Sequence, residues 1–152
     1  MKSKKALVFD LNFMGDMLMS SPAIRALFKA GYQVDVISWK MNREVLLANP
    51  FIDHVYTGFP FWEAVEARFR NYDLILQFNT SLKTNLYMLI AGKPRLGYYL
   101  NWRKGFPLTI RVPISQRTAL KGNRVRECMD LLKKGLDLTC DDERMVFDED
   151  SI

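Results

Sequence analysis

The residues best placed to do chemistry are a glycine and an aspartate, Gly15-Asp16, which lie between the first predicted strand and the first predicted helix. Ligands of open parallel sheets bind at the carboxyl ends of the strands, so this turn is the expected place for a site. Gly15 allows a tight turn or a close backbone approach to a ligand. Asp16 is either a functional carboxylate or a helix N-terminal acid, which the helix dipole stabilises by about 0.3–1 kcal/mol.

Several common kinds of site lack their residues here. The turn has neither the glycine pattern of dinucleotide-binding folds nor the Gly-Lys-Ser/Thr of P-loops. The single histidine, His54, has no second histidine or cysteine near it, so we expect a structural or surface role and neither a metal site nor a catalytic triad. Cys128 and Cys140 have no paired spacing, and we expect free thiols in a reducing compartment.

The elements that must position Gly15-Asp16 are short apolar runs alternating with helical patterns. This alternation predicts an α/β fold, a Rossmann-like parallel sheet flanked by helices. Strands are predicted at residues 6–11, 34–39, 54–57 and 73–78, with weaker candidates at 96–98 and 109–113. Helices are predicted before Gly31 and at residues 42–49, 61–70, 81–91 and 118–136. Ser21-Pro22 either begins the first helix or kinks one that begins at Asp16.

Composition is that of one globular domain. The chain has 152 residues, of which 49% are apolar and 26% charged, which excludes disordered and collagen-like classes. No apolar run reaches the roughly 18 residues of a membrane span, and the N-terminus lacks the pattern of a signal peptide. We therefore expect a cytoplasmic protein.

Charge is distributed unevenly along the chain, whose net charge is +5. Residues 93–126, here called the basic block, contain nine basic residues and no acidic one. The block is either a solvated face or a surface for an anionic partner. It lacks a recognition helix or an aromatic sheet motif, so nucleic acid is not expected as that partner. From Asp137 onward the chain is acidic and shows no closing element, as in a linker toward another domain.

The ordered series of motifs resembles glycosyltransferase family 9, the bacterial ADP-heptose:lipopolysaccharide heptosyltransferases. Members share a strand, a loop with Gly-Asp, and then Ser/Thr-Pro-Ala-hydrophobic-Arg-Ala-Leu. The chain carries these motifs, with others in matching order, as Leu7-Val8-Phe9, Gly15-Asp16, Ser21-Pro22-Ala23-Ile24-Arg25-Ala26-Leu27, Val34-Asp35-Val36, residues 47–55, Tyr72-Asp73-Leu74-Ile75 and Arg95-Leu96-Gly97-Tyr98. It departs from them at Asp10, where members often have Arg, at Gln77, where they often have an acid, and near Asn123, where they commonly have His.

The resemblance implies the N-terminal half of a GT-B glycosyltransferase, with two Rossmann-like domains facing across a cleft. Residues 1–136 would form the acceptor-side domain, and residues 137–152 would lead toward a C-terminal domain that binds the nucleotide-sugar. The donor implied is ADP-heptose, bound mainly by that second domain, and no other cofactor is implied. The isolated chain would then have little or no transferase activity. The alternative is a non-catalytic glycan- or lipid-binding module without a donor half.

The resemblance also assigns roles to particular residues. Asp16 would be the catalytic base of an inverting transfer, and Gly15 would shape the loop beneath the reacting groups. The acceptor would be a lipopolysaccharide-type glycan, whose inner core carries Kdo carboxylates and phosphates. Arginine binds such groups bidentately. The residues expected to bind this acceptor are Gly15, Lys83, Trp102, Arg103, Lys104 and Arg124. Such an acceptor would place the protein peripherally on the inner face of the membrane.

Overall fold

The computed structural model describes residues 4–11, 20–78, 82–92, 94–99, 108–113 and 124–136. These residues form six strands, five α-helices and one 3₁₀ turn, Lys40–Asn42. The strands are β1 (Lys4–Asp10), β2 (Tyr32–Ser38), β3 (Ile52–Tyr56), β4 (Leu74–Gln77), β5 (Arg95–Tyr99) and β6 (Ile110–Pro113). The helices are α1 (Ser21–Lys29), α2 (Arg43–Leu47), α3 (Pro60–Arg68), α4 (Leu82–Ala91) and α5 (Arg124–Leu136).

The six strands form one sheet in the order β3-β2-β1-β4-β5-β6, and every neighbouring pair is parallel. This is the strand order of the Rossmann fold, which reverses direction beside β1. The predicted α/β class is therefore confirmed. The two weaker strand candidates are confirmed as β5 and β6.

Apolar side chains cover both faces of the sheet, as expected where helices pack on each side. Ala6 and Val8 of β1 pack on one face, in the core that α1, α2 and α5 complete. Leu7 and Phe9 pack on the other, under α3 and α4. All four side chains are buried, so β1 is the centre of the fold and its carboxyl end is fixed from both sides.

Helix boundaries differ from the predicted ones by one or two residues in most cases. Gly31 ends the α1 region as predicted, and its φ of +102° is a conformation that glycine adopts without strain. The helix predicted at residues 42–49 is instead the 3₁₀ turn followed by the short α2. In α5 the buried side chains include Cys128, Leu131 and Leu132. Cys128 is a free thiol, as expected, and Cys140 lies outside the described residues.

None of the described helices combines the length and the apolar character that crossing a membrane requires.

Candidate functional site

Asp10 lies just before the segment that contains Gly15-Asp16, residues 12–19, which lies outside the described residues. It is the last residue of β1, and its side chain is fully buried. The Ser20 hydroxyl donates a hydrogen bond to Asp10 Oδ2 at 2.9 Å. Ser20 is the N-cap of α1, but its side chain makes no capping hydrogen bond to the helix. This hydrogen bond joins the described residues on the two sides of positions 12–19, at the carboxyl edge of the sheet.

A second set of hydrogen bonds joins Asp10 to β2. The Ser38 hydroxyl donates to the backbone carbonyl of Asp10 at 2.7 Å, and Asn42 Nδ2 donates to Ser38 Oγ at 3.0 Å. The two strands place Asp10 and Ser38 side by side in register. Ser38 and Asn42 are fully buried. Buried polar groups of this kind are retained where they have partners, and together they specify one local geometry.

The end of β4 carries another buried polar pair. Gln77 Nε2 donates a hydrogen bond to Asn85 Oδ1, which joins the carboxyl end of β4 to the first turns of α4. Gln77 lies opposite Phe9 of β1, so this pair and the Asp10 group lie at the same edge of the sheet. The carboxyl edge therefore has a set of buried polar side chains beneath any ligand that binds there. We call this set the polar floor; it consists of Asp10, Ser20, Ser38, Asn42, Gln77 and Asn85.

Most of the site residues predicted from the sequence lie outside the described residues. These are Gly15, Asp16, Trp102, Arg103 and Lys104. The structure locates the ends of the segments that carry them. The first pair lies between Leu11 and Ser20, and the other three lie between Tyr99, at the end of β5, and Leu108. Both segments follow a parallel strand, so each begins at the carboxyl edge.

Two predicted binding residues are described at this edge. Lys83 is the second residue of α4 and is exposed. Arg124 is the first residue of α5, and only its backbone is described. Gly135, near the other end of α5, approaches Leu96 at the start of β5, so α5 runs back from the carboxyl edge. The two helices cover opposite faces of the sheet, and their N-termini flank the edge from both sides.

The buried polar groups of the polar floor were not predicted from the sequence. Asp10 and Gln77 stood out only as departures from the family pattern, and Ser20, Ser38 and Asn85 had no predicted role. Their positions in the sequence could have indicated a role. Asp10, Ser38 and Gln77 end buried strands, and Ser20 caps the next helix. Those are the places where a parallel sheet collects its ligand-binding groups.

His54 lies in a different cluster, midway along β2 and β3. Its Nδ1 is 2.7 Å from Asp53 Oδ2 and 3.2 Å from Asp35 Oδ1. In the sequence this histidine has no second histidine or cysteine near it, whereas the fold brings two carboxylates to it, with one atom from each of the three side chains within 4.8 Å of one another. Hydrogen bonding accounts for the arrangement, and His54 is more than half exposed.

Asp35 is also the partner of a buried tyrosine. The Tyr72 hydroxyl donates to Asp35 Oδ2 at 2.7 Å, and both residues are buried. Burial, and then the hydrogen bond to the Asp35 carboxylate, raise the pKa of Tyr72 well above its usual range. The folded protein thus holds this phenolic proton more tightly than the unfolded chain does.

Because of this difference, we expect the folded protein to lose stability at alkaline pH. A raised pKa in the folded state gives a stabilisation that is complete below about pH 10, the value of a free tyrosine, and is lost as the pH rises further. The loss is at most about tenfold in the unfolding constant per pH unit, the limit for one titrating group. Urea unfolding between about pH 8 and pH 11 should show a steeper fall for the wild type than for Tyr72→Phe. Equal slopes for the two proteins would contradict the assignment.

The described residues also form a pocket of about 380 Å³ at the opposite, amino edge of the sheet. It lies between α1 and the first residues of β2 and β3, and Phe28, Tyr32, Gln33 and Asp53 are among its lining residues. Its position separates it from the loop after β1 by the length of the strands. It is therefore not part of the candidate site.

The fold matches solved glycosyltransferases. Escherichia coli ADP-heptose lipopolysaccharide heptosyltransferase II superposes with a TM-score of 0.72 at 21% identity, covering 96% of this chain and 47% of that one. A glycosyltransferase family 9 protein from Veillonella parvula gives 0.74 at 15% identity, covering 93% and 43%. E. coli heptosyltransferase WaaC, solved with ADP-2-deoxy-2-fluoro heptose, gives 0.68 at 16% identity, covering 90% and 49%.

The chain spans about half the length of each of these structures. No protein-family model and no curated protein matches the sequence. At these identities the likeness shows the fold, a Rossmann-like α/β domain of the kind found in GT-B glycosyltransferases.

Proposed function

We propose that the chain is the acceptor-side, N-terminal half of an inverting glycosyltransferase similar to the ADP-heptose:lipopolysaccharide heptosyltransferases. The observation that carries this proposal is the fold match to two heptosyltransferases and one glycosyltransferase family 9 protein, over nearly all of this chain and about half of each of theirs. The order of the motifs around Gly15-Asp16 supports it. Residues 1–136 are the domain in this proposal, and residues 137–152 link it to a donor-binding half.

Asp16 is the general base of the proposed reaction. As the acceptor hydroxyl oxygen bonds to the anomeric carbon, its proton passes to the Asp16 carboxylate. The bond from the anomeric carbon to the phosphate oxygen breaks on the opposite face, and ADP leaves with the electron pair. An ordinary aspartate, with a pKa near 3.9, is ionised but weakly basic, so it assists when proton transfer is late in an oxocarbenium-like transition state.

The polar floor supports this role by fixing the loop that holds Asp16. Ser20 and Asp10 join the two ends of the loop, and Ser38 holds Asp10 from the neighbouring strand. A catalytic group must be held close to its productive geometry, and side chains on rigid elements do this better than a free loop. Transfer of a sugar from ADP-heptose to a heptose-free lipopolysaccharide by the complete transferase, detected by product mass, tests the proposed activity.

The acceptor in this proposal is an anionic glycan on a lipid, bound in part by Arg103 and Lys104. Replacing both with alanine is expected to weaken acceptor binding at least about tenfold, because a single well-formed charge-assisted hydrogen bond contributes about 1.5–3 kcal/mol and about 1.4 kcal/mol is a factor of ten. Titration calorimetry with an anionic lipid A fragment measures the change. The matched control is Lys133→Ala with Lys134→Ala, two neighbouring exposed cations near the opposite end of α5. Equal affinity of the two double variants for the lipid A fragment would show that the basic block is a solvated face and not an acceptor-binding surface.

A further inference from the structure

The edge strand β3 has a bulge beside His54. Val34 of β2 lies opposite Ile52. The next residue, Asp35, lies opposite His54, so that Asp53 is an extra residue in β3. Bulges are rare in parallel pairs, and they re-aim the side chains around them. Consecutive side chains of a regular strand face opposite sides of the sheet, so the bulge accounts for the meeting of Asp53 and His54 beside Asp35.

The three side chains share too few protons. His54 Nδ1 lies 2.7 Å from Asp53 Oδ2 and 3.2 Å from Asp35 Oδ1. A ring nitrogen carries at most one proton, so the two contacts share one donor and only one carboxylate can have a full hydrogen bond. The shorter contact goes to Asp53, which is exposed, and the longer one goes to Asp35, which is buried. Asp35 Oδ1 is therefore a buried oxygen that faces the cluster without a full hydrogen bond of its own.

The negative charge of the cluster has no neighbouring cation to balance it. One oxygen from each carboxylate lies within 4.8 Å of the other. Among the residues that the structure describes, no lysine or arginine forms an ion pair with Asp35 or Asp53. Like charges at this separation repel, and a buried carboxylate is costly without a compensating charge. A cation held between the three side chains removes both costs.

Each carboxylate is also held by a donor from outside the cluster. The Tyr72 hydroxyl donates to Asp35 Oδ2 at 2.7 Å, while Asp35 Oδ1 is directed at His54. Gln33 Nε2 donates to the Asp53 carboxylate. Metal ligands in proteins are oriented by outer hydrogen bonds of this kind, which fix each ligand atom where the ion needs it. The three ligand atoms are thus brought together before an ion binds.

We propose that Asp35 Oδ1, Asp53 Oδ2 and His54 Nδ1 bind one zinc ion. Ligand atoms about 2.0–2.2 Å from zinc lie about 3–4 Å from one another, which is close to the separations in this cluster. One imidazole nitrogen with two carboxylate oxygens suits zinc, whereas magnesium and calcium take oxygen ligands. The ion takes the Nδ1 lone pair, and the proton that Nδ1 carried passes to Nε2 or to water.

The proposed ion is structural. It joins β3, an end strand of the described sheet, to β2, and an ion that binds only the folded chain stabilises it. The cluster lies midway along these strands, away from the loop after β1. We therefore expect the ion to raise thermal stability and to leave sugar transfer unchanged, so this inference stands or falls independently of the proposed function.

Calorimetric titration of the 152-residue chain with zinc chloride tests the site. We expect one ion per chain, with magnesium chloride binding at least about tenfold more weakly. His54→Gln and Asp53→Asn should each lower the zinc affinity at least about tenfold. Losing a ligand costs no less than losing one of its outer hydrogen-bond partners, which costs about 10–100-fold.

The wild-type chain offers a second measurement. His54 is its only histidine, so a long-range ¹H–¹⁵N spectrum reports the two ring nitrogens of this residue without ambiguity. Zinc is expected to shift the Nδ1 resonance and to leave the ring proton on Nε2. An Nδ1 resonance that does not respond to zinc would overturn the proposal, whatever the variants do.

Asp73→Asn and Cys140→Ser are the control variants. Asp73 is an exposed carboxylate that accepts the Lys5 backbone N–H, and Cys140 supplies a thiol that could bind zinc elsewhere. Both should bind zinc like the wild type, and melts without zinc check that all four variants fold. The proposal fails if the wild type does not bind zinc, if His54→Gln and Asp53→Asn bind as tightly as the controls, or if Cys140→Ser abolishes binding. Magnesium binding as tight as zinc binding would also overturn it, since carboxylates alone would then account for the site.

Discussion

Asp16→Asn is expected to lower the rate of sugar transfer at least about a hundredfold in the complete transferase, with folding and acceptor affinity unchanged. Asparagine keeps the size of the side chain but cannot accept the acceptor's proton, and a positioned general base contributes about 10²–10⁴ in rate. The measurement is kcat for transfer from ADP-heptose, alongside calorimetric affinity for the acceptor. The effect should appear in kcat and leave acceptor binding in place, because the lost interaction forms only in the transition state.

Asp53→Asn is the matched control for that experiment. Asp53 is a partly exposed carboxylate in β3, near the amino edge of the sheet and away from the loop after β1. Its substitution should leave turnover near the wild-type value. If Asp16→Asn also turned over at a near-normal rate, Asp16 would not be the base.

Asp10→Ala is expected to destabilise the protein by about 1–3 kcal/mol, the cost of leaving a buried hydrogen-bonding group without its partner. The Ser20 hydroxyl would lose the Asp10 carboxylate as an acceptor at a buried position. Urea unfolding measures the loss. The same substitution should also reduce transfer by the complete enzyme, since the two ends of the Asp16 loop would no longer be joined.

Two variants separate the role of Asp10 from a general effect of removing a carboxylate. Asp10→Asn keeps an acceptor oxygen for Ser20 and should retain most of the stability. Asp73→Ala removes an exposed carboxylate that accepts the Lys5 backbone N–H at 2.8 Å, where water can replace it, so its cost should be at most about 1 kcal/mol. A loss for Asp10→Ala no larger than that for Asp73→Ala would contradict a stabilising role for the hydrogen bond between Ser20 and Asp10.

The fold was largely predictable because its strands are buried on both faces. Residues such as Ala6-Leu7-Val8-Phe9 form a continuous apolar run, which is typical of a central parallel strand. Helix ends were less predictable. Ser20 caps α1 in backbone position while its hydroxyl bonds to Asp10, a tertiary contact that local sequence does not encode. The exposure of Phe61 and Trp62 in α3 was also not predictable, because a pair of large aromatic residues is expected in the core until the packing of the helix is known.

The location of the candidate site could be predicted from the sequence, but the side-chain contacts that form it could not. Parallel topology alone puts the loop after β1 at a ligand-binding edge. The buried polar groups at this edge come from β1, β2 and β4 and from three helical segments. Register brings Ser38 beside Asp10, and the packing of α4 brings Asn85 to Gln77. His54 shows the same limit, since Asp35 reaches it from the neighbouring strand. Sequence spacing does not report contacts of this kind.

The most direct test of the central claim is titration calorimetry of this 152-residue chain, with ADP in one experiment and with a Kdo-containing lipid A fragment in another. An acceptor-side half should bind the lipid A fragment and show no heat of binding with ADP. Binding of ADP without binding of the lipid A fragment would contradict the account, because the donor chemistry would then belong to this domain.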